Sequence, residues 1–200
     1  WQGVGIVKYT PQRGNPPGIH PWVLDFESKV IRGEAVFRAA LEMKRAGYRP
    51  DAIVAHPGWG ESLFVKEVWP SARLGLYCEF YYRAQGADVG FDPEFSAPDP
   101  STGCRMLVKN ANLLMQFDAA DGALSPTRWQ ANGFPEPFRR HIQVVHDGID
   151  TRIVAPRPTV RITLPDRAGL ALSRQDEVIT FVNRNLEPGR GYHVLMRALP

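Results

Sequence analysis

The sequence predicts an α/β fold, a parallel sheet flanked by helices, and two observations carry that prediction. Short apolar runs alternate with segments of helical period, and the connection from Asp51–Ala55 to Arg73–Cys78 is long enough to recross a sheet and return in parallel. The composition, 44% hydrophobic and 22% charged over 200 residues, suits a chain with a sizeable core. No stretch reaches the roughly 20 apolar residues of a membrane span, and no signal peptide is evident.

Each element follows from its local pattern. Val4 to Tyr9 alternates like a short strand, and PQRGNPPGIHP after it must be a loop. From Trp22 to Ala46, apolar Val23, Phe26, Val30, Val36, Phe37, Ala40 and Leu41 recur at helical intervals, and Gly47 is placed to end the helix. The run Asp51 to Ala55 reads as a buried strand entering the turn HPGWG, with ESLFVKEVW helical and Arg73 to Cys78 the next strand. EFYYRAQGADVGFDPEF has five aromatics and little periodicity, which predicts a loop. Cys104 to Ala120 is helical, Ala123 to Ser125 a strand end, and Pro126 suits the first turn of a helix following Ser125. Ile142 to Val145 is a further strand closed by HDGID, where Gly148 permits a turn and Asp150 can cap it. Thr159 to Leu172 reads as a hairpin around PDRAG. Glu177 to Val182 then reads as a fresh strand entering NRNLEPGRG and a helix.

Composition excludes much. The net charge is only +3 with no basic stripe, so any bound anion is small and nucleic acid is not expected. Cys78 and Cys104 lie in unlike contexts, which signals neither a disulfide framework nor a zinc site. The default compartment is the cytoplasm. No G-x-S-x-G, P-loop or H-E-x-x-H motif occurs, and His141 with His146 has no third ligand nearby. Glu34 and Glu42 form an E-x7-E pair by count, but among Arg and Lys in mid-helix they read as a solvated face.

In sheets of this kind ligands sit beyond the carboxyl ends of the strands. The segments placed there are His56 to Glu61, Glu79 to Phe95, Ser125 to Arg128 with His146 to Asp150, and Asn183 to Gly191. Gly58 and Gly60 would let the backbone approach a ligand. GWGESL begins a dinucleotide fingerprint, with Glu79 at the spacing of a ribose-binding acid, but Leu63 stands in place of the last glycine. His56 alone reads either as a hydrogen-bonded structural histidine or as a site residue. Arg184 and Arg190 flank a Pro-Gly turn where two guanidinium groups could clamp a diphosphate, or are simply exposed arginines.

Taken in order, AHPGWGESLFVKEVWP, LYCEFYYRAQGADVGFDPEF, SPTRWQ, VVHDGIDT and FVNRNLEPGRGYHVLMRALP resemble a bacterial branch of the nucleotide-sugar-dependent glycosyltransferases of family four. These are the large group-one family of retaining enzymes with the two-domain GT-B fold. The resemblance implies a partial acceptor-binding Rossmann-like domain over 1–157, lacking its first strands, a linker or β-hairpin over 158–176, and the start of a nucleotide-sugar-binding domain over 177–200. The missing initiator Met and the stop at Pro200 after an apolar helical pattern agree with a piece of a longer chain, inactive on its own.

By the same resemblance His56 is the catalytic histidine beside the transferred sugar, and Arg184 and Arg190 face the donor diphosphate. Arg190 stands where lysine is more usual, and Asp147 where the turn more often has asparagine. Gly58, Trp59, Gly60, Glu61, Glu79, Tyr81 and Tyr82 would line the acceptor or sugar, with Phe91 a further stacking face. Glu34 and Glu42 do not match the family's acidic E-x7-E element. The implied partners are a nucleotide-sugar donor and a glycan, lipid-linked or small-molecule acceptor, without metal or other cofactor; peripheral membrane association stays open. The alternatives are a non-catalytic acceptor- or partner-binding module and an NAD-binding oxidoreductase domain.

Overall fold

The computed structural model describes residues 3–87, 89–97, 99–166 and 169–199 and contains a sheet of four parallel strands in the order β1-β2-β3-β4. The strands are β1 (Ala52–Ala55), β2 (Arg73–Tyr77), β3 (Gly122–Ser125) and β4 (Ile142–Val144). Helix α1 (Leu24–Arg45) precedes them. Helix α2 (Val65–Val68) lies between β1 and β2, α3 (Thr102–Ala119) between β2 and β3, and α4 (Arg128–Gly133) with α5 (Glu136–Arg139) between β3 and β4. Each parallel return uses a helical crossover, as the spacing predicts.

The chain forms two compact units, residues 1–146 and 147–200. The second contains the antiparallel pair β5 (Ile162–Thr163) and β6 (Ala171–Leu172) and the helix α6 (Tyr192–Ala198). Leu164 N–H also donates to the Leu170 carbonyl, so the expected hairpin is present, although residues 167 and 168 of PDRAG lie outside the described residues.

Helix α1 carries Asp25 and Glu27 in its first turn and Lys44 and Arg45 in its last, complementing its dipole. It ends as expected: Gly47 takes φ +92°, its N–H donates to the Lys44 carbonyl, and Tyr48 N–H donates to that of Met43. In the first unit the core lies on one face of β2, where Leu74, Leu76 and Cys78 pack with Val65, Leu113, Phe117 and Phe134. A second cluster joins Ala40, Val68, Trp69 and Ala72. Burial raises the Cys78 thiol pKa to about 12, which makes that thiol inert.

Several expectations are corrected. Val4–Tyr9 and Glu177–Val182 are not strands, because a strand needs a ladder partner and neither run has one among the described residues. Deep burial is limited to the inner strands, Leu74 and Leu76 of β2 and Ser125 of β3, since β1 and β4 are the sheet edges and Val54 of β1 is exposed. ESLFVKEVW is helical only over its last residues. Of the apolar set foreseen in α1, Ala40 is buried and Val36, Phe37 and Leu41 are partly buried against the core clusters; the other buried positions are Lys29, Ile31, Gly33 and Ala35, and Lys29 and Gly33 meet the backbone of the Gly60 loop. Ser125 does not cap α4. It is buried in β3 with its hydroxyl donating to the Cys78 carbonyl at 2.7 Å, and Thr127 caps α4 by accepting from Gln130 N–H at 3.2 Å.

At the amino end of β2, the Asp121 carboxylate accepts Leu74 N–H at 2.8 Å and Lys66 Nζ at 3.1 Å. The Leu74 bond, followed by Lys66, holds its pKa below the usual carboxylate range. The stabilisation is therefore present above the unfolded carboxylate pKa and lost as pH falls through the lowered folded value. Asp121→Asn should lower the urea midpoint near pH 7, with the gap to the parent closing toward about pH 2.

Candidate functional site

The carboxyl ends of β1 and β2 bring two loops together. His56, first residue after β1, turns Nε2 toward Glu79 Oε2 at 3.1 Å, and Glu79 follows β2 at the same end of the sheet. Gly58 N–H donates to His56 Nδ1 at 3.1 Å. A nitrogen that accepts a backbone N–H carries no proton, so the imidazole proton is on Nε2, directed at the carboxylate. The histidine side chain is 32% exposed, and the ring has Tyr77 at 6.1 Å and Trp59 at 6.2 Å between centroids. Arg32 of α1 sits over the Trp59 ring at 5.8 Å.

The two glycines have tasks the sequence reading assigned to a ligand. A Cβ on Gly58 would lie 2.6 Å from His56 Cε1, so this glycine makes room for the imidazole. Gly60 has φ +96°, and a Cβ there would be 2.4 Å from the Lys29 carbonyl oxygen; a Cβ on Gly33 would be 2.8 Å from the Gly60 oxygen. The loop and helix α1 thus meet backbone to backbone. The Lys29 ammonium, buried by this approach, pairs with Asp25 at 2.6 Å.

Helix α3 holds both loops. The Pro57 carbonyl accepts Asn112 Nδ2 at 2.6 Å and Gln116 Nε2 at 2.8 Å, while Ser62 Oγ donates to Gln116 Oε1. All three side chains are buried. Two residues earlier on the same helix, Asn110 accepts Tyr82 N–H at 3.0 Å and donates to the Tyr82 carbonyl at 2.7 Å. These amides were missed at the sequence level. Their signal was polar residues at helical spacing on the face that carries Leu113 and Phe117.

The remaining site candidates are placed as follows. Glu61 accepts the Tyr9 hydroxyl at 2.6 Å; burial, then the Glu61 bond and charge, raise the Tyr9 pKa to about 12. Tyr81 packs on Phe134 at 5.6 Å and borders the core, and Tyr82 lies under the Lys109 ammonium at 3.8 Å. Trp59 and Phe91 are exposed. Glu34 and Glu42 pair with Arg38 and Arg45 on the α1 surface, as expected. In the second unit, Arg184 donates its N–H to Asn183 Oδ1 at 2.8 Å, and Arg190 ends a 3-10 turn before Gly191 at φ +72°. Neither guanidinium has an ion-pair partner among the described residues. Gly148 takes φ +80°, and Asp150 Oδ1 accepts Arg152 N–H at 3.0 Å. No helix among the described residues is long and apolar enough to cross a membrane.

A family model described as glycosyl transferase family 4 group matches residues 1–154. No curated protein matches the chain.

Two outcomes test the loop architecture. Gly60→Ala should cost about 2–6 kcal/mol in denaturant unfolding, from backbone strain plus the clash with Lys29, whereas Gly14→Ala, with open space around it, should change stability by less than about 0.5 kcal/mol. Gln116→Leu keeps the volume but strands the Ser62 hydroxyl and the Asn112 side-chain oxygen. It should cost about 1–3 kcal/mol for each group left unsatisfied.

Proposed function

Because the chain belongs to the glycosyl transferase family 4 group, we propose that its first unit is the acceptor-binding part of an enzyme that moves a sugar from a nucleotide-sugar to an acceptor. Transfer proceeds with retention at the anomeric carbon and without a metal. Residues 1–157 bind the acceptor, 158–176 link, and 177–200 begin the donor-binding domain. The donor is a substrate, and no further cofactor takes part.

The observation that carries this reading is the His56–Glu79 pair at the strand ends, with Nδ1 occupied by Gly58 N–H. As the bond from the anomeric carbon to the diphosphate breaks, the sugar gains positive charge and the leaving group negative charge. The Glu79 carboxylate behind the imidazole favours the positive charge on the sugar. Both groups also bind sugar hydroxyls: Glu79 accepts them, and the His56 ring positions them against Trp59. Arg184 and Arg190 take the negative charge that develops on the diphosphate, a role that suits bidentate guanidinium groups.

The test is nucleoside diphosphate release from UDP- and GDP-sugars, in the presence of EDTA, by the full-length enzyme with its complete donor-binding domain, with the product anomer read by NMR. His56→Ala should lower kcat by about two orders of magnitude while leaving Tm nearly unchanged. An unaltered kcat, dependence on added metal or an inverted product would overturn the reading.

A further inference from the structure

A cleft of about 160 Å³ opens between the aromatic loop after β2 and the start of α4; it is lined by Phe80, Arg83, Trp129, Gln130 and Asn132, among others. It too lies at the carboxyl ends of the strands, but none of the site residues foreseen from the sequence except Tyr81 reaches it. Trp129 is 67% exposed on the first turn of α4, a helix whose own packing is met by Ala131. Thr127 fixes that turn by capping Gln130 N–H. The Phe80 ring stands 6.3 Å from Trp129 at 44°, with Tyr82 edge-on behind it at 5.3 Å. A large ring held in place and left bare to water offers an apolar face for another ring.

The rest of the lining specifies what that ring carries. Arg83 is the one charged residue among the described residues of the lining, and it turns Nε and Nη2 onto the Gly133 and Asn132 carbonyls, the nearest at 2.7 Å. It acts as a strut that closes the end of α4. The other polar side chains of the described lining are uncharged: Tyr81, Asn132 and Gln130, whose Oε1 accepts the Thr127 hydroxyl at 2.6 Å and whose Nε2 can donate to a sugar hydroxyl. The volume is below the roughly 300–1,000 Å³ of pockets that enclose drug-sized ligands, which fits one ring and not a nucleotide.

We propose that this cleft holds the acceptor and that the acceptor end bound there is a neutral sugar ring, stacked on Trp129 and Phe80 and hydrogen-bonded by Gln130 and Asn132. Its role as acceptor rests on the glycosyl-transfer reading above; its binding of a neutral sugar does not. The experiment is saturation-transfer NMR of the chain, without donor, against neutral mono- and disaccharides and against hexose phosphates. Neutral sugars should bind, weakened about tenfold or more by Trp129→Ala, restored in part by Trp129→Phe and unaffected by Trp22→Phe. Preference for hexose phosphates, no binding by any neutral sugar, or binding insensitive to Trp129→Ala would overturn the proposal. Sugar binding at Trp129 in a protein that never consumes nucleotide-sugars would sink the transfer reading and leave the cleft standing. Transfer to a phosphorylated acceptor, indifferent to Trp129→Ala, would do the reverse.

Discussion

Everything at the carboxyl edge of the sheet depends on three buried amides of α3 that grip the backbone of two loops. The loops after β1 and β2 are rich in proline, glycine and aromatic residues and have no ladder to satisfy their peptide groups. Asn112 and Gln116 take the Pro57 carbonyl, and Asn110 takes both polar groups of Tyr82. A buried polar network of this kind is costly when broken and rigid when complete. One helix therefore sets the position of His56 and of the aromatic loop at once.

The second constraint is steric. Gly33 and Gly60 allow α1 and the histidine loop to touch through their backbones, which buries Lys29 and leaves Arg32 beside Trp59. The outcome is electrostatic as well. Gly58 N–H donates to His56 Nδ1, Glu79 faces Nε2, and Glu61 is already committed to Tyr9. Of the two carboxylates foreseen as sugar ligands, the geometry therefore separates one engaged by a tyrosine from one paired with the histidine.

The correspondence between sequence and structure is uneven for identifiable reasons. The helices from Leu24 and from Thr102, the strands β1 to β4 and the hairpin near Ile162 were legible because period, turn residues and run length are local properties. Val4–Tyr9 and Glu177–Val182 carry the same local signal without becoming strands, since strand formation is settled by a partner elsewhere in the chain. The glycines of HPGWG were legible as special positions, but not whether a ligand or the protein itself approaches them. Tyr81 and Tyr82 were legible as aromatic loop residues, while Trp129, exposed like Trp59 and Phe91, drew notice only as part of a short motif.

The sequence by itself determined the alternation of β1 to β4 with helices, the strand-end address of His56, Glu79 and the glycine turn, and the family-like motifs, because each is written in neighbouring residues. Only the tertiary structure decided that His56 meets Glu79 across 23 positions, that Asn110, Asn112 and Gln116 serve loops far from them in the chain, and which aromatic faces remain bare. Those outcomes turn on which groups a crossover brings within about 3 Å of one another, a hydrogen-bond distance that no local pattern encodes.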